Sequence, residues 1–165
     1  MRCTFLYNNI VHREKRMYNR EQVRKQLEID EGRVEEVYLD SLGLPTFGIG
    51  HLIKEGDPEY GMPVGAKIPS ERVDEQFDED FEHHVEECLE LFGEEFSDYH
   101  DEVQEVLINM MFNMGRTRLS KFRNFITALQ MDDFNEAADQ MVDSRWYGQV
   151  GNRSKRLEQR IRDLG

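Results

Sequence analysis

At 165 residues, with 38% apolar and 33% charged side chains, the chain can build one core but not two independent large ones. That composition excludes a disordered chain, and no run reaches the roughly 18 apolar residues a membrane span needs. A net charge of −13 excludes a general nucleic-acid binder, because phosphates would be repelled over most of the surface. The acids are unevenly spread. Residues 71–105 carry Arg72 against 16 acidic side chains, a local balance of −15, whereas residues 106–165 carry 10 basic and 7 acidic ones, or +3.

The opening MRCTFLYNNIVHREKR lacks the apolar stretch and small-residue cleavage site of a secretory signal. Met17 is a candidate second start, which makes residues 1–16 an N-terminal extension. Cys3 and Cys88 form no Cys-x-x-Cys pair and are expected as free thiols, as in a reducing compartment. From Asn19, a good N-cap, Val23 and Leu27 recur four apart with Ile29 close to the same face, predicting a helix that Gly32 stops. Glu31 then falls in the last turn, where the helix dipole disfavours a carboxylate.

Residues 33–51 lose the helical period. Val37 and Leu39 alternate with Tyr38 and Asp40, Ser41-Leu42-Gly43 supplies a turn, and Thr46, Phe47 and Ile49 resume a β pattern, predicting a short antiparallel sheet. Pro45 is confined to an edge or a strand start, and Gly48 and Gly50, two apart, fit either one bare strand face open to close approach or a bulge or tight hairpin. The Gly- and Pro-rich residues 54–69 predict a loop or a ragged third strand. From Ser70 as N-cap, Val73, Phe77, Phe81, Val85 and Leu89 recur every four residues in an acidic background. This is a long connecting helix with a narrow apolar stripe, ended by Gly93.

The rest is helical. Val103, Val106, Leu107, Ile108, Met110, Met111, Phe112 and Met114 are dense enough for a central core helix over 101–114, closed by Gly115. Leu119, Phe122, Phe125, Ile126 and Leu129 mark another helix. Asp133 and Glu136 form a capping box for one carrying Ala137, Ala138, Met141 and Val142, and Asn152 caps a last helix with Leu157, Ile161 and Leu164 inward. The fold class is α+β in one domain: a small lobe over 17–70 with the sheet, a linking helix over 71–92, and a larger all-helical lobe over 93–165.

Glu31 ends a helix, Asp40 ends the first strand of a hairpin, and the returning strand brings Thr46 back toward Asp40. Two carboxylates and a hydroxyl converging on a cleft support acid/base hydrolysis. His83 and His84 are adjacent and diverge, and with His100 they give no ligand spacing, so no metal is expected. Neither a nucleophile elbow nor a glycine-rich phosphate loop is present, and no cofactor is expected. His51 is expected to pair with an acid of the linking helix, such as Asp80, with its pKa raised.

The strings Ile29-Asp30-Glu31-Gly32, Tyr38-x-Asp40 and Thr46-x-Gly48-Ile49-Gly50-His51-Leu52 resemble the active-site signature of phage lysozymes of the T-even type. In the same order, Asn109-Met110-Met111-Phe112-Asn113-Met114-Gly115, Glu136-Ala137-Ala138, Ser144-Arg145-Trp146-Tyr147 and Asn152-Arg153-x-Lys155-Arg156 resemble that family's helical motifs, so the likeness spans nearly the whole chain. It implies a two-lobed lysozyme-like fold and an endolysin that hydrolyses the β-1,4 bond between N-acetylmuramic acid and N-acetylglucosamine in bacterial peptidoglycan. By position, Glu31 matches the proton donor and Asp40 the second carboxylate, which stabilises oxocarbenium charge or activates water. Thr46 matches the residue that positions that water. Leu52 and Phe112 match positions lining the saccharide groove. Phe125 and Gln140 stand at two further groove positions where a relative carries serine and asparagine. Arg153 falls near the cleft mouth and is expected to orient Glu31 electrostatically.

The resemblance favours inversion, which needs about 6.5–9.5 Å between the carboxyls, whereas retention needs about 5–5.5 Å. A donor has to stay protonated near neutrality, and a helix C-terminus, partial burial and a neighbouring acid each favour that form. The implied partner is a peptidoglycan glycan strand, met by a monomer with no stable membrane insertion. The protein would be made in the host cytoplasm and reach the wall after a partner permeabilises the membrane. Enzymes of this type are typically basic. The charge of −13 points to a salty environment, where screening shortens to about 3 Å at 1 M. The competing readings are a catalytically idle wall-binding or tail-associated relative, an acidic helical interaction protein that masks basic surfaces, and a related hydrolase acting on chitin.

Overall fold

A computed structural model describes residues 17–165; the expectations for residues 1–16, Cys3 included, lie outside the described residues. Helix α1 (Arg20–Glu31) begins where Asn19 Oδ1 accepts from the Gln22 N–H at 3.1 Å, and it ends at Gly32, whose φ of 76° fits glycine. Val23 and Leu27 are buried as expected, but Ile29 is 74% exposed. Two residues beyond Leu27 is about 200° around a helix, so Ile29 lies on the far side.

Three antiparallel strands follow in the order β1 (Val34–Leu39), β2 (Pro45–Gly48) and β3 (His51–Leu52). Tyr38 pairs with Thr46, and Thr46 with Leu52; Leu39 pairs with Pro45, and Phe47 with His51. Pro45 opens the central strand, the one internal position that needs no ladder N–H. Gly48 (φ 67°) and Gly50 (φ 68°) take the tight-hairpin alternative: Gly50 lies in the turn that joins β2 to β3 rather than on a strand face. That turn is tight because both positions need a positive φ. The loop after β3 returns along the outer side of β1 through an antiparallel bridge between Glu36 and Lys67.

Helix α2 (Ser70–Phe92) is capped by the backbone of Pro69, and Ser70 is its first residue instead of its cap. The Ser70 hydroxyl accepts from Arg33 Nη2 at 2.7 Å, so it is engaged elsewhere. Val73, Phe77 and Phe81 are buried, but the stripe then moves to Cys88 and Phe92, leaving Leu89 43% exposed. Each four-residue step overshoots a full turn by about 40°, so a strict four-residue repeat rotates out of the core within a few turns. Burial pushes the Cys88 thiol far above its ordinary value, which makes it an inert core residue.

Helix α3 (Glu95–Asp98), a single turn without an apolar period, leads into the central α4 (Asp101–Leu119). Gly115, with φ 77° and ψ 167°, breaks α4 where the sequence predicts closure. Helices α5 (Arg123–Gln130) and α6 (Phe134–Val142) follow, the latter capped by Asp133, which accepts from the Glu136 N–H. Glu136 does not return the bond of a capping box, because its carboxylate takes Gln140 Nε2 at 2.7 Å. The short α7 (Arg145–Val150) has Trp146 as its one buried residue, too little to show as periodicity. Helix α8 (Asn152–Arg162) buries Leu157 and Ile161; its cap is Gly151, with Asn152 as first residue. No helix among the described residues is long and apolar enough to cross a membrane.

The sheet is fastened to α2 by His51, whose Nδ1 lies 2.8 Å from Asp80 Oδ2 and whose Nε2 lies 2.9 Å from Asp57 Oδ2. Burial alone would lower the imidazole pKa, but hydrogen bonds to the two carboxylates outweigh it and the pKa is raised above 6.5. The Asp80 partner matches the sequence expectation, and Asp57 adds a second acid. Because the folded pKa is the higher one, the stability His51 contributes is fully present below pH 6.5 and is lost as pH rises through the folded value. Urea unfolding at a series of pH values should show that decline in the wild type and a flatter profile in Asp80→Asn; equal slopes in both would remove His51 as the cause.

Candidate active site

Glu31 is the last residue of α1, and its carboxylate is caught from two directions. Arg153 Nη1, from α8, donates to Oε1 at 2.7 Å, with the two side chains 10% and 20% exposed. On the other side is Gly50, where an added Cβ would stand 2.8 Å from Oε2. Arg153 is itself fixed, donating from Nε to Asn109 Oδ1 at 2.8 Å and from Nη2 to the Asn109 carbonyl at 3.3 Å. A guanidinium held at three points presents one geometry to Glu31, so the acid is oriented rather than merely attracted.

Asp40 lies just past β1. Its Oδ1 accepts from the N–H groups of Leu42 and Leu44 at 2.8 and 2.9 Å, which closes the hairpin turn on the carboxylate. Thr46, 4% exposed, donates its hydroxyl hydrogen to the Leu44 carbonyl at 3.0 Å. The Thr46 oxygen is thereby left as an acceptor. Tyr38 is half-buried and lies directly across the strand pair from Thr46. Burial pushes its phenol pKa up, and the charges of Glu31 and then Asp40 push it further, so both carboxylates act on one hydroxyl.

The remaining candidates divide by position. Leu52 is 38% exposed and continues the cross-sheet row beyond Thr46. Phe112 is half-buried on α4, its ring 6.0 Å from that of Phe77, 6.4 Å from Phe81 and 4.3 Å from His84. Phe125 and Gln140 share an open depression of about 440 Å³ with Lys121, Arg123 and Asp143. Phe125 is 1% exposed, so it forms the floor of that depression and belongs to the core, while Gln140 stays partly open. Another depression, of about 590 Å³ between α1 and α2, holds surface ion pairs and none of the Glu31 cluster. Among the described residues no group of three or more His, Cys, Asp or Glu is arranged to hold a metal ion.

Beneath Glu31 lies a cluster that local sequence patterns do not reveal. Asp30 is 4% exposed and accepts at Oδ2 from Arg156 Nη2 at 2.6 Å and from Asn109 Nδ2 at 2.9 Å. Gln26 Nε2 donates to the other oxygen at 3.1 Å.

A family model described as phage lysozyme matches residues 28–163. The chain is 30% identical over 146 residues to the pre-baseplate central spike protein Gp5 of Enterobacteria phage T4, covering 78% of this chain and 25% of that protein. It therefore spans about a quarter of the spike protein's length. It is 27% identical to probable T4-type lysozymes 2 and 1 of Dictyostelium discoideum, over 149 and 158 residues. These matches cover 79% and 82% of this chain, and 88% and 90% of the two relatives.

Gly50→Ala tests the contact that seats Glu31. The new methyl would meet Oε2 at 2.8 Å on a backbone with φ 68°. The variant should lose about 1–2 kcal/mol from the left-handed conformation alone, and its crystal structure should show the Glu31 carboxyl moved off Arg153. An unshifted Glu31 in a fully stable variant would remove the contact from the account.

Proposed function

We propose that this chain, which belongs to the phage lysozyme family, is a muramidase that hydrolyses the β-1,4 bond between N-acetylmuramic acid and N-acetylglucosamine in peptidoglycan. The observation that supports the reading is the phage lysozyme match over residues 28–163, within which Glu31 ends α1 under Arg153 and Asp40 closes the hairpin that returns Thr46 opposite Tyr38. In this reading Glu31 is the general acid and protonates the glycosidic oxygen as the bond breaks. Asp40 faces the oxocarbenium charge that develops on the sugar. A water donates one hydrogen bond to Thr46, whose own hydrogen is engaged by Leu44, and another to Asp40. It attacks the anomeric carbon on the face opposite Glu31 and inverts it; Asp40 takes the water's proton, and Glu31 regains one from solvent.

Leu52 and Phe112 line the saccharide groove in this proposal, with Gln140 at a more distant subsite and Phe125 supporting it from below. Arg153 orients the acid. Residues 17–70 and 93–165 act as two lobes on either side of the glycan, joined by the linking helix over 71–92. The protein acts as a monomeric endolysin made in the host cytoplasm, reaching the wall once a partner has permeabilised the membrane. Similarity to a central spike protein favours, as a second reading, the same chemistry delivered from a phage particle.

Glu31→Gln keeps the shape and removes the transferable proton. Turnover on purified bacterial walls should fall by about 10²–10⁴-fold with circular dichroism unchanged; near-normal activity would refute the assignment. A second measurement addresses the charge. The acids concentrate on α2, away from Glu31, so activity should persist from low to marine salt, and collapse across that range would overturn the salty-environment reading.

A further inference from the structure

We propose that the Tyr38 hydroxyl is a further catalytic contact, donating a hydrogen bond to the sugar ring whose bond is cut. This rests on the muramidase reading above. Tyr38, Thr46 and Leu52 are successive cross-strand partners and so form one row across β1, β2 and β3. Val37, the neighbour of Tyr38, is 1% exposed and points into the core, so strand alternation turns Tyr38 to the opposite face. Asp40, two residues further on, lies just past the strand and closes the hairpin turn. The row therefore runs past the residue proposed to hold the attacking water and ends at a residue proposed to line the groove.

Among the described residues no hydrogen bond engages the Tyr38 hydroxyl, although the side chain is half-buried. A partly desolvated O–H without a protein partner is favourably matched by a ligand acceptor. Burial and then the charges of Glu31 and Asp40 push the phenol pKa up, so the hydroxyl keeps the proton with which it donates. A phenylalanine would fill the same space and leave the sugar without a donor.

Kinetics on solubilised peptidoglycan separate the outcomes. With an active wild type, Tyr38→Phe should lose about ten-fold in kcat/KM, the worth of one neutral hydrogen bond, at an unchanged unfolding temperature. A change under two-fold would overturn the Tyr38 contact and leave the muramidase reading standing; a silent but folded wild type would overturn both. Should the variant fold poorly, the Glu31→Gln protein labelled with tyrosine ¹³Cζ and titrated with a muramic acid–glucosamine tetrasaccharide supplies the decision. The Tyr38 resonance should shift saturably while that of Tyr60, 61% exposed on the loop, stays still. A Tyr38 resonance that does not move as the saccharide saturates would reject the contact.

Discussion

A single buried carboxylate, that of Asp30, fixes the arrangement on which the candidate chemistry rests. It comes from α1, and the groups that satisfy it come from α4 (Asn109) and α8 (Arg156). Removing such a charge from water costs several kcal/mol unless partners surround it, and removing one partner typically costs about 3–5 kcal/mol. The three elements are thus held in one relation by the requirement that Asp30 be fully paired. Glu31 is the next residue, and Arg153 lies one turn before Arg156 on α8. Glu31 is positioned as a consequence of how its neighbour is buried.

The opposite wall is built from a second polar chain that meets the first at Gly50. His51 lies between Asp57 and Asp80; Asp80 Oδ1 takes Gln76 Nε2 at 2.9 Å, Gln76 takes Arg72 at 2.8 Å, and Arg72 pairs with the buried Glu59 at 2.5 Å. This run fastens the loop after β3 to α2 and holds the turn whose glycine touches Glu31. The acid is wedged between a guanidinium it cannot push away and a backbone that admits no side chain. Freedom at either wall would loosen the carboxyl and blur the one geometry it now presents.

Local signals were legible where a single residue makes a local bond. Asn19 and Asp133 cap their helices, Gly32 and Gly115 end theirs, and the returning strand brings Thr46 to the Asp40 end of β1, where it pairs with Tyr38. The unfavourable placement of Glu31 at a helix end was also visible. What periodicity could not show were contacts across long stretches of chain: Asp30 finds Asn109 at a separation of 79 residues and Arg156 at 126. Glycine spacing left the choice open at Gly48 and Gly50, since a two-residue interval fits a strand face as well as a tight turn. The four-residue stripe of α2 placed Leu89 inward, where the actual helical repeat puts Cys88 and Phe92.

The acidic helix is more than a solvated face. Arg24 of α1 pairs with Asp78 at 2.5 Å while its guanidinium lies 4.8 Å from the Phe77 ring centre, and Arg20 pairs with Glu82 while lying 4.7 Å over Phe81. Each arginine thereby covers part of the apolar stripe of α2 and neutralises an acid beside it. An exposed ion pair contributes about 0–1 kcal/mol and weakens in salt, whereas an arginine stacked on an aromatic ring keeps its packing when charges are screened. The contact between α1 and α2 thus depends on these acids less than their number suggests. Charge on the outer side of α2 can vary while the Asp30 and His51 networks, which seat Glu31, stay as they are.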